Sequence, residues 1–252
     1  MAKLIFLGTS NAISDEHHEN THMVLVGNEH VVLIDCPNSP MVRFQKAGVD
    51  INHLTDLILT HFHPDHVSGV PQLLMNMWLM GRRESLNIYG LLHTIDRIEK
   101  LMEFYGWSEW PDFFPVKFIR VPEKAMAIMI ECDEFNIFAS PVQHFIPTVG
   151  LRIEFKEAGK VLAYSSDTQP CPQIGRLADG VDILVHESSG ALPGHSSAAQ
   201  AGQAAHQAEV GALYLIHYPT GQFASGDLVS EARQQFKGPV TLAEDFMELN
   251  FE

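Results

Sequence analysis

The feature that most limits this chain is Thr60-His61-Phe62-His63-Pro64-Asp65-His66, which directly follows the run 54–59, whose last three residues are Leu57-Ile58-Leu59. That run reads as a strand, and it delivers three imidazoles and one carboxylate into a loop only six residues long. Imidazole nitrogen and carboxylate oxygen are the usual non-thiolate ligands of zinc and related divalent ions. In a loop, His61 and His63 can turn to one metal while Asp65 and His66 turn to a second. Pro64 stiffens the bend between the two pairs. A solvated polar loop explains the same letters poorly, since it has no need of histidine.

A metal pair needs further ligands, and the chain offers them at strand ends. His144 follows the strand predicted over 135–140, Asp167 follows 161–164, and His217 follows 213–216. Each is a ligand-type residue just beyond an apolar strand, where loops gather into sites. Such ligands also account for part of an unusual total of 14 histidines.

Patterning predicts further strands at 3–7, 87–89, 116–121, 125–132, 150–155, 183–185 and 240–242, and a hairpin of 23–26 with 31–34. Helices are predicted at 40–48, 70–80, 92–105, 196–209 and 228–236. The order is strand-rich, helical, strand-rich, helical. It implies an α/β (α+β) fold of two packed sheets with helices on the outer faces. The absence of linkers and repeats makes 1–252 a single expected domain.

Composition narrows the partners. With 16 basic and 31 acidic residues the net charge is −15, so bulk charge does not draw the chain to nucleic acid. Three cysteines, Cys36, Cys132 and Cys171, are too few for a disulfide scaffold or a thiolate zinc site. No signal segment and no run of 18 apolar residues is visible, so the expectation is a cytoplasmic protein with no membrane partner.

The set Thr60-His61-Phe62-His63-Pro64-Asp65-His66, His144, Asp167 and His217 resembles the metallo-β-lactamase superfamily over nearly the whole chain. Phe6-Leu7-Gly8-Thr9-Ser10, Ile34-Asp35, Ser165-Ser166-Asp167-Thr168, His186-Glu187 and His195-Ser196-Ser197-Ala198 are similar to its ribonuclease Z-like branch. The resemblance implies an αβ/βα sandwich of two mixed sheets with a dinuclear site at their top edge. It implies that His61, His63 and His144 hold one metal and that Asp65, His66 and His217 hold the other, with Asp167 bridging. The cofactor expected is two divalent ions per subunit, zinc first, with manganese or iron as alternatives. A metal pair lowers the pKa of a water between its ions and neutralises charge on a phosphoryl oxygen.

Asp65 is expected both to hold metal and to orient the hydroxide. His195, at the start of the helix predicted over 196–209 with Ser196 as cap, matches the family histidine that protonates the leaving oxygen. Glu187 matches the glutamate that orients it. Asp35 reads as a hydrogen-bonder near the metals, and His186 is assigned no chemistry.

Family members that process tRNA carry a projecting arm, in many of them inserted between the positions of His144 and Asp167. Here those lie 167 − 144 = 23 positions apart, and 152–160 reads as a plain hairpin. The expectation is therefore a hydrolase of small phosphodiesters or cyclic nucleotides rather than of nucleic acid, with a homodimer as a further expectation. The alternatives are a tRNA 3′-end processing endoribonuclease, an arylsulfatase-type ester hydrolase, and a metal-binding protein without hydrolysis. The apolar segments 75–80 and 104–114 are open to two readings, as walls of a substrate pocket or as core and dimer contacts.

Overall fold

In the computed structural model, which describes residues 2–224 and 226–252, two seven-stranded sheets pack face to face. The first is built from β1 (Ala2–Gly8), β2 (His22–Val26), β3 (Val31–Ile34), β4 (Asp56–Ile58), β5 (Leu86–Leu91), β6 (Val116–Val121) and β14 (Glu248–Phe251), in the order β14-β1-β2-β3-β4-β5-β6. The second contains β7 (Ala127–Glu131), β8 (Phe135–Val142), β9 (Thr148–Phe155), β10 (Lys160–Tyr164), β11 (Ile183–Glu187), β12 (Ala212–Ile216) and β13 (Val240–Leu242), in the order β13-β12-β11-β10-β9-β8-β7. The helices are α1 (Pro40–Lys46), α2 (Pro64–Val67), α3 (Val70–Leu79), α4 (Leu92–Phe104), α5 (Pro172–Leu177), α6 (Ala198–Gln207) and α7 (Leu228–Gln235).

Strand alternation assigns side chains to layers. Leu4 and Phe6 of β1 point between the sheets, where they join Ile137, Leu151, Tyr164 and Val185. Ile5 and Leu7 point the other way, into an apolar layer with Phe44, Leu73, Met77 and Ile95 from α1, α3 and α4. On the far side of the second sheet, Ala163, Leu184 and Leu213 pack under Leu177, Ala201, Ala205 and Ala232 from α5, α6 and α7. The result is helix, sheet, sheet, helix. Strands buried on both faces read as unbroken apolar runs, which is why the runs were legible without polar alternation.

Four elements depart from the sequence reading. The strand β14 was not expected. Its Leu249 and Phe251 alternate into the core, and Phe251 stacks on Phe155 with ring centroids 3.7 Å apart. Helix α2 forms within the segment expected as a loop, and α5 is not among the expected helices; each opens on a proline, whose fixed φ suits a first helical turn. The helix predicted over 196–209 is shorter, at Ala198–Gln207. Ser197, not Ser196, is its cap. The Ser197 hydroxyl accepts from Gln200 N while the Gln200 side chain accepts from Ser197 N. Ser196 Oγ instead donates to the Thr168 carbonyl at 2.7 Å.

Candidate metal centre

Strand direction brings the candidate residues to one edge. β3 runs parallel to β4, and β10, β11 and β12 run parallel to one another. β8 is antiparallel to β9, which is antiparallel to β10, so β8 shares their direction. Asp35 follows β3, His61 and His63 follow β4, His144 follows β8, Asp167 follows β10, Glu187 ends β11 and His217 follows β12. All therefore leave the carboxyl ends of strands, the edge where parallel-strand proteins build their sites. Asp35, Ser166 and His217 adopt left-handed φ of 61°, 53° and 53°. Strained backbone of this kind clusters at functional sites.

The donor atoms form two groups. His61 Nε2 and His144 Nε2 each lie 3.1 Å from His63 Nδ1. His66 Nε2 lies 3.5 Å from Asp65 Oδ2 and 3.6 Å from Asp167 Oδ2, and His217 Nε2 lies 3.6 Å and 3.4 Å from the same two oxygens. Asp167 Oδ2 also lies 3.9 Å from His61 Nε2 and 4.0 Å from His144 Nε2, so one carboxylate oxygen faces both groups. Tetrahedral bonds of about 2.0–2.1 Å put neighbouring ligand atoms roughly 3.3 Å apart, which is the spacing here.

Surrounding partners fix which nitrogens carry hydrogen. His144 Nδ1 donates to the Gly194 carbonyl at 2.8 Å, and His66 Nδ1 donates to Asp35 Oδ2 at 2.8 Å. The Thr60 hydroxyl gives its proton to Asp35, so it accepts from His61 Nδ1. The Ser189 hydroxyl donates to the His217 carbonyl and accepts from His217 Nδ1. Each of these four histidines is left with an Nε2 lone pair aimed into the centre. His66 Nε2, His217 Nε2 and Asp167 Oδ1 are buried without a hydrogen-bond partner. Buried polar atoms rarely stay orphaned, and a cation between them answers all three. The donor set fits divalent metal.

Electrostatics agree. Burial holds His61 well below the usual imidazole range, so it is neutral, as a ligand must be. Burial alone would raise the Asp167 carboxyl, but His217 and His66 hold it well below its ordinary value and ionised. Burial would lower His66, yet Asp167, Asp35 and Asp65 together raise it. The proton they favour is the charge a cation at the same spot would replace.

His195 stands at the rim. Its Nδ1 donates to Glu187 Oε1 at 2.9 Å, a bond that raises the imidazole above its ordinary value against the opposing effect of burial. The fully buried Glu187 carboxylate also accepts from Thr168 N, Ser196 N and Ser189 N, which locks the loop after β10 and the loop after β11 onto one side chain. His186 lies in β11, buried, with Nδ1 donating to its neighbour's carbonyl. The centre opens into a cavity of about 160 Å³ lined by His63, Asp65, Asp167, His195, His217 and Leu192.

All nine expected residues thus meet at one edge. Sequence reasoning missed Ser189 and the Gly194 carbonyl as partners of His217 and His144. A serine and a backbone carbonyl carry no signal of that role in the letters. Segments 75–80 and 104–114 do not wall this cavity. They pack on each other against the first sheet, with Trp78 stacked on Trp110 at 4.9 Å.

Two sheets with outer helices and this His–Asp edge define a metal-dependent ester hydrolase of the metallo-β-lactamase superfamily, in its ribonuclease Z-like branch. Within it, the chain belongs to the family described as anti-Pycsar protein Apyc1, whose model matches residues 2–222. It is 28% identical to a ribonuclease Z of Methanothermobacter thermautotrophicus, over 98% of this chain and 96% of that protein. Its fold is similar to the metallo-β-lactamase fold protein YhfI of Bacillus subtilis, with a TM-score of 0.83 at 20% identity and 98% of each chain covered. It is also similar to a diphosphatase of the PhnP family, with a TM-score of 0.76 at 21% identity, covering 100% of this chain and 98% of that one. Among the described residues, no helix is long and apolar enough to cross a membrane.

Proposed function

We propose that this protein, acting as one 252-residue unit, hydrolyses small phosphodiesters, cyclic nucleotides among them. The observation that carries this reading is a metal centre at the floor of a cavity of only about 160 Å³, in a chain of net charge −15. A grip on long RNA needs an extended basic surface, and the acidic balance argues against one. The connection between β9 and β10 is a short turn with no room for an arm.

On this reading the chain holds two divalent ions, zinc first, with manganese and iron also compatible with nitrogen and oxygen ligands. His61, His63 and His144 hold one, Asp65, His66 and His217 the other, and Asp167 faces both. When bound, the ions would supply a more acidic water and would neutralise charge on the phosphoryl group. Asp65 orients the attacking oxygen. His195, held by Glu187, gives a proton from its free ring nitrogen to the leaving oxygen. The PhnP-family structure, titled a diphosphatase, supports a small substrate.

A second reading, cleavage of RNA, is favoured by the ribonuclease Z relatives, and they lend no support to excluding nucleic acid. Metal-loaded protein assayed side by side on bis(p-nitrophenyl) phosphate, cyclic nucleotides and precursor tRNA decides between the two. The expected result is faster turnover of the small diesters. Efficient, position-specific cleavage at a tRNA 3′ end would overturn the proposal.

A further inference from the structure

A cavity of about 160 Å³ falls below the roughly 300–1,000 Å³ that encloses a drug-sized ligand. It accommodates a phosphate group and its nearest atoms. The organic part of any nucleotide must then lie outside, on the rim, and the question is what receives it.

Phe145 stands there with 63% of its surface exposed. Its ring centroid is 5.0 Å from that of His144 and 6.2 Å from that of His195, so it borders both the metal side and the acid side. Gly194 makes this placement possible. Its φ is +75°, and a Cβ there would come within 2.9 Å of Phe145 Cε2 and 3.1 Å of His144 Nδ1. The same Gly194 carbonyl holds His144. Ring and ligand are thus set by one loop. Leu192, 61% exposed, adds apolar surface to the cavity wall from that loop.

We infer that Phe145 is the platform on which the substrate's nucleobase stacks, with the ribose crossing the rim past His195 and the phosphate in the cavity. The inference rests on the phosphodiester reading and adds a substrate-positioning residue to it. An aromatic face receives any base, because every base has a π-face, and the gain is typically a clear fraction of total affinity. Phe145 is a substrate-positioning residue under this assignment, and it takes no part in proton transfer.

Calorimetric titration of zinc-loaded protein with AMP and with ribose 5-phosphate tests it. The two ligands share phosphate and sugar and differ only in the base. Wild type should bind AMP roughly tenfold more tightly. Phe145→Ala should bring the two affinities together, and Phe145→Trp should restore the difference. A wild type that does not distinguish the ligands, or a difference that survives Phe145→Ala, would overturn the inference. Wild-type turnover of glycerol 1,2-cyclic phosphate, which has no base, reads the hydrolase proposal separately. A protein that turns over this diester yet shows no base preference loses the platform and keeps the activity.

Discussion

His66 and Asp35 are joined by a hydrogen bond of 2.8 Å across 31 positions of sequence, and the carboxylate that holds this ring also holds Thr60. Through Thr60 the same carboxylate fixes the hydrogen on His61. One buried aspartate therefore orients a histidine in each of the two ligand groups. Asp35→Ala should lower metal affinity by about 10–100-fold, the usual cost of removing such a partner. Equilibrium dialysis against zinc measures it. Wild-type affinity in the variant would leave Asp35 a structural residue only.

Metal content gives the second prediction. Protein purified without chelator should carry near two equivalents of divalent metal by elemental analysis. Stripping it should lower the melting temperature, since a ligand bound only by the folded state stabilises by mass action. One equivalent would mean that only one of the two groups of donor atoms is a site. None, in protein that also refuses added zinc or manganese, would remove the metal reading.

Most of the sandwich was legible because many of its strands are buried on both faces and read as apolar runs, as 31–34 and 213–216 do. The ligand residues were legible because imidazole and carboxylate at strand ends have few other uses. What stayed hidden has a physical reason in each case. The strand Glu248–Phe251 is four residues long, and its partner β1 lies at the other end of the chain. Ser197 and Ser196 are equivalent caps by composition, and only the contact of Ser196 with Thr168 decides between them. Ser189 and Gly194 act through a hydroxyl and a carbonyl that any loop possesses.

Glu134 supports a prediction about pH. Its carboxylate sits in the turn between β7 and β8 of the second sheet. It accepts backbone N–H groups of Asn28, Glu29 and His30 from the hairpin of the first sheet. Partial burial would raise this carboxyl, but the three donors hold it below its ordinary value of 4.5. A carboxyl depressed in the folded state contributes stability above its unfolded pKa, and that contribution is lost as pH falls through the folded value. Glu134→Gln should thus destabilise by on the order of 1 kcal/mol at neutral pH, with the gap to wild type narrowing as pH falls below the ordinary carboxyl value of 4.5. Gly27→Ala should act on the same contact, since a Cβ there would meet the carboxylate at 2.6 Å. Urea melts at pH 7 and pH 3.5 measure both. A gap that persists unchanged at pH 3.5 would assign the loss to packing.

His195 supports the prediction closest to the chemistry. Its Nδ1 is committed to Glu187, which is itself fully buried and bonded to three backbone N–H groups, so the ring is held rigidly at the cavity wall. In the proposed assignment, the seven residues of the two donor groups would hold both ions without it. His195→Ala should therefore keep both ions and most of the stability. Proton donation by a positioned side chain is worth about a hundred- to ten-thousand-fold in rate. The loss should reach that range for diesters with an alkoxide leaving group, which must be protonated as it departs. It should be small for p-nitrophenolate, which leaves without help. Glu187→Gln should fall in the same direction but less far, because the amide can still accept from His195 while no longer favouring its protonated form. Steady-state rates on paired alkyl and p-nitrophenyl diesters, with metal content measured on the same samples, separate the roles. Equal losses on both leaving groups would remove the acid role, and loss of an ion from His195→Ala would make His195 a ligand.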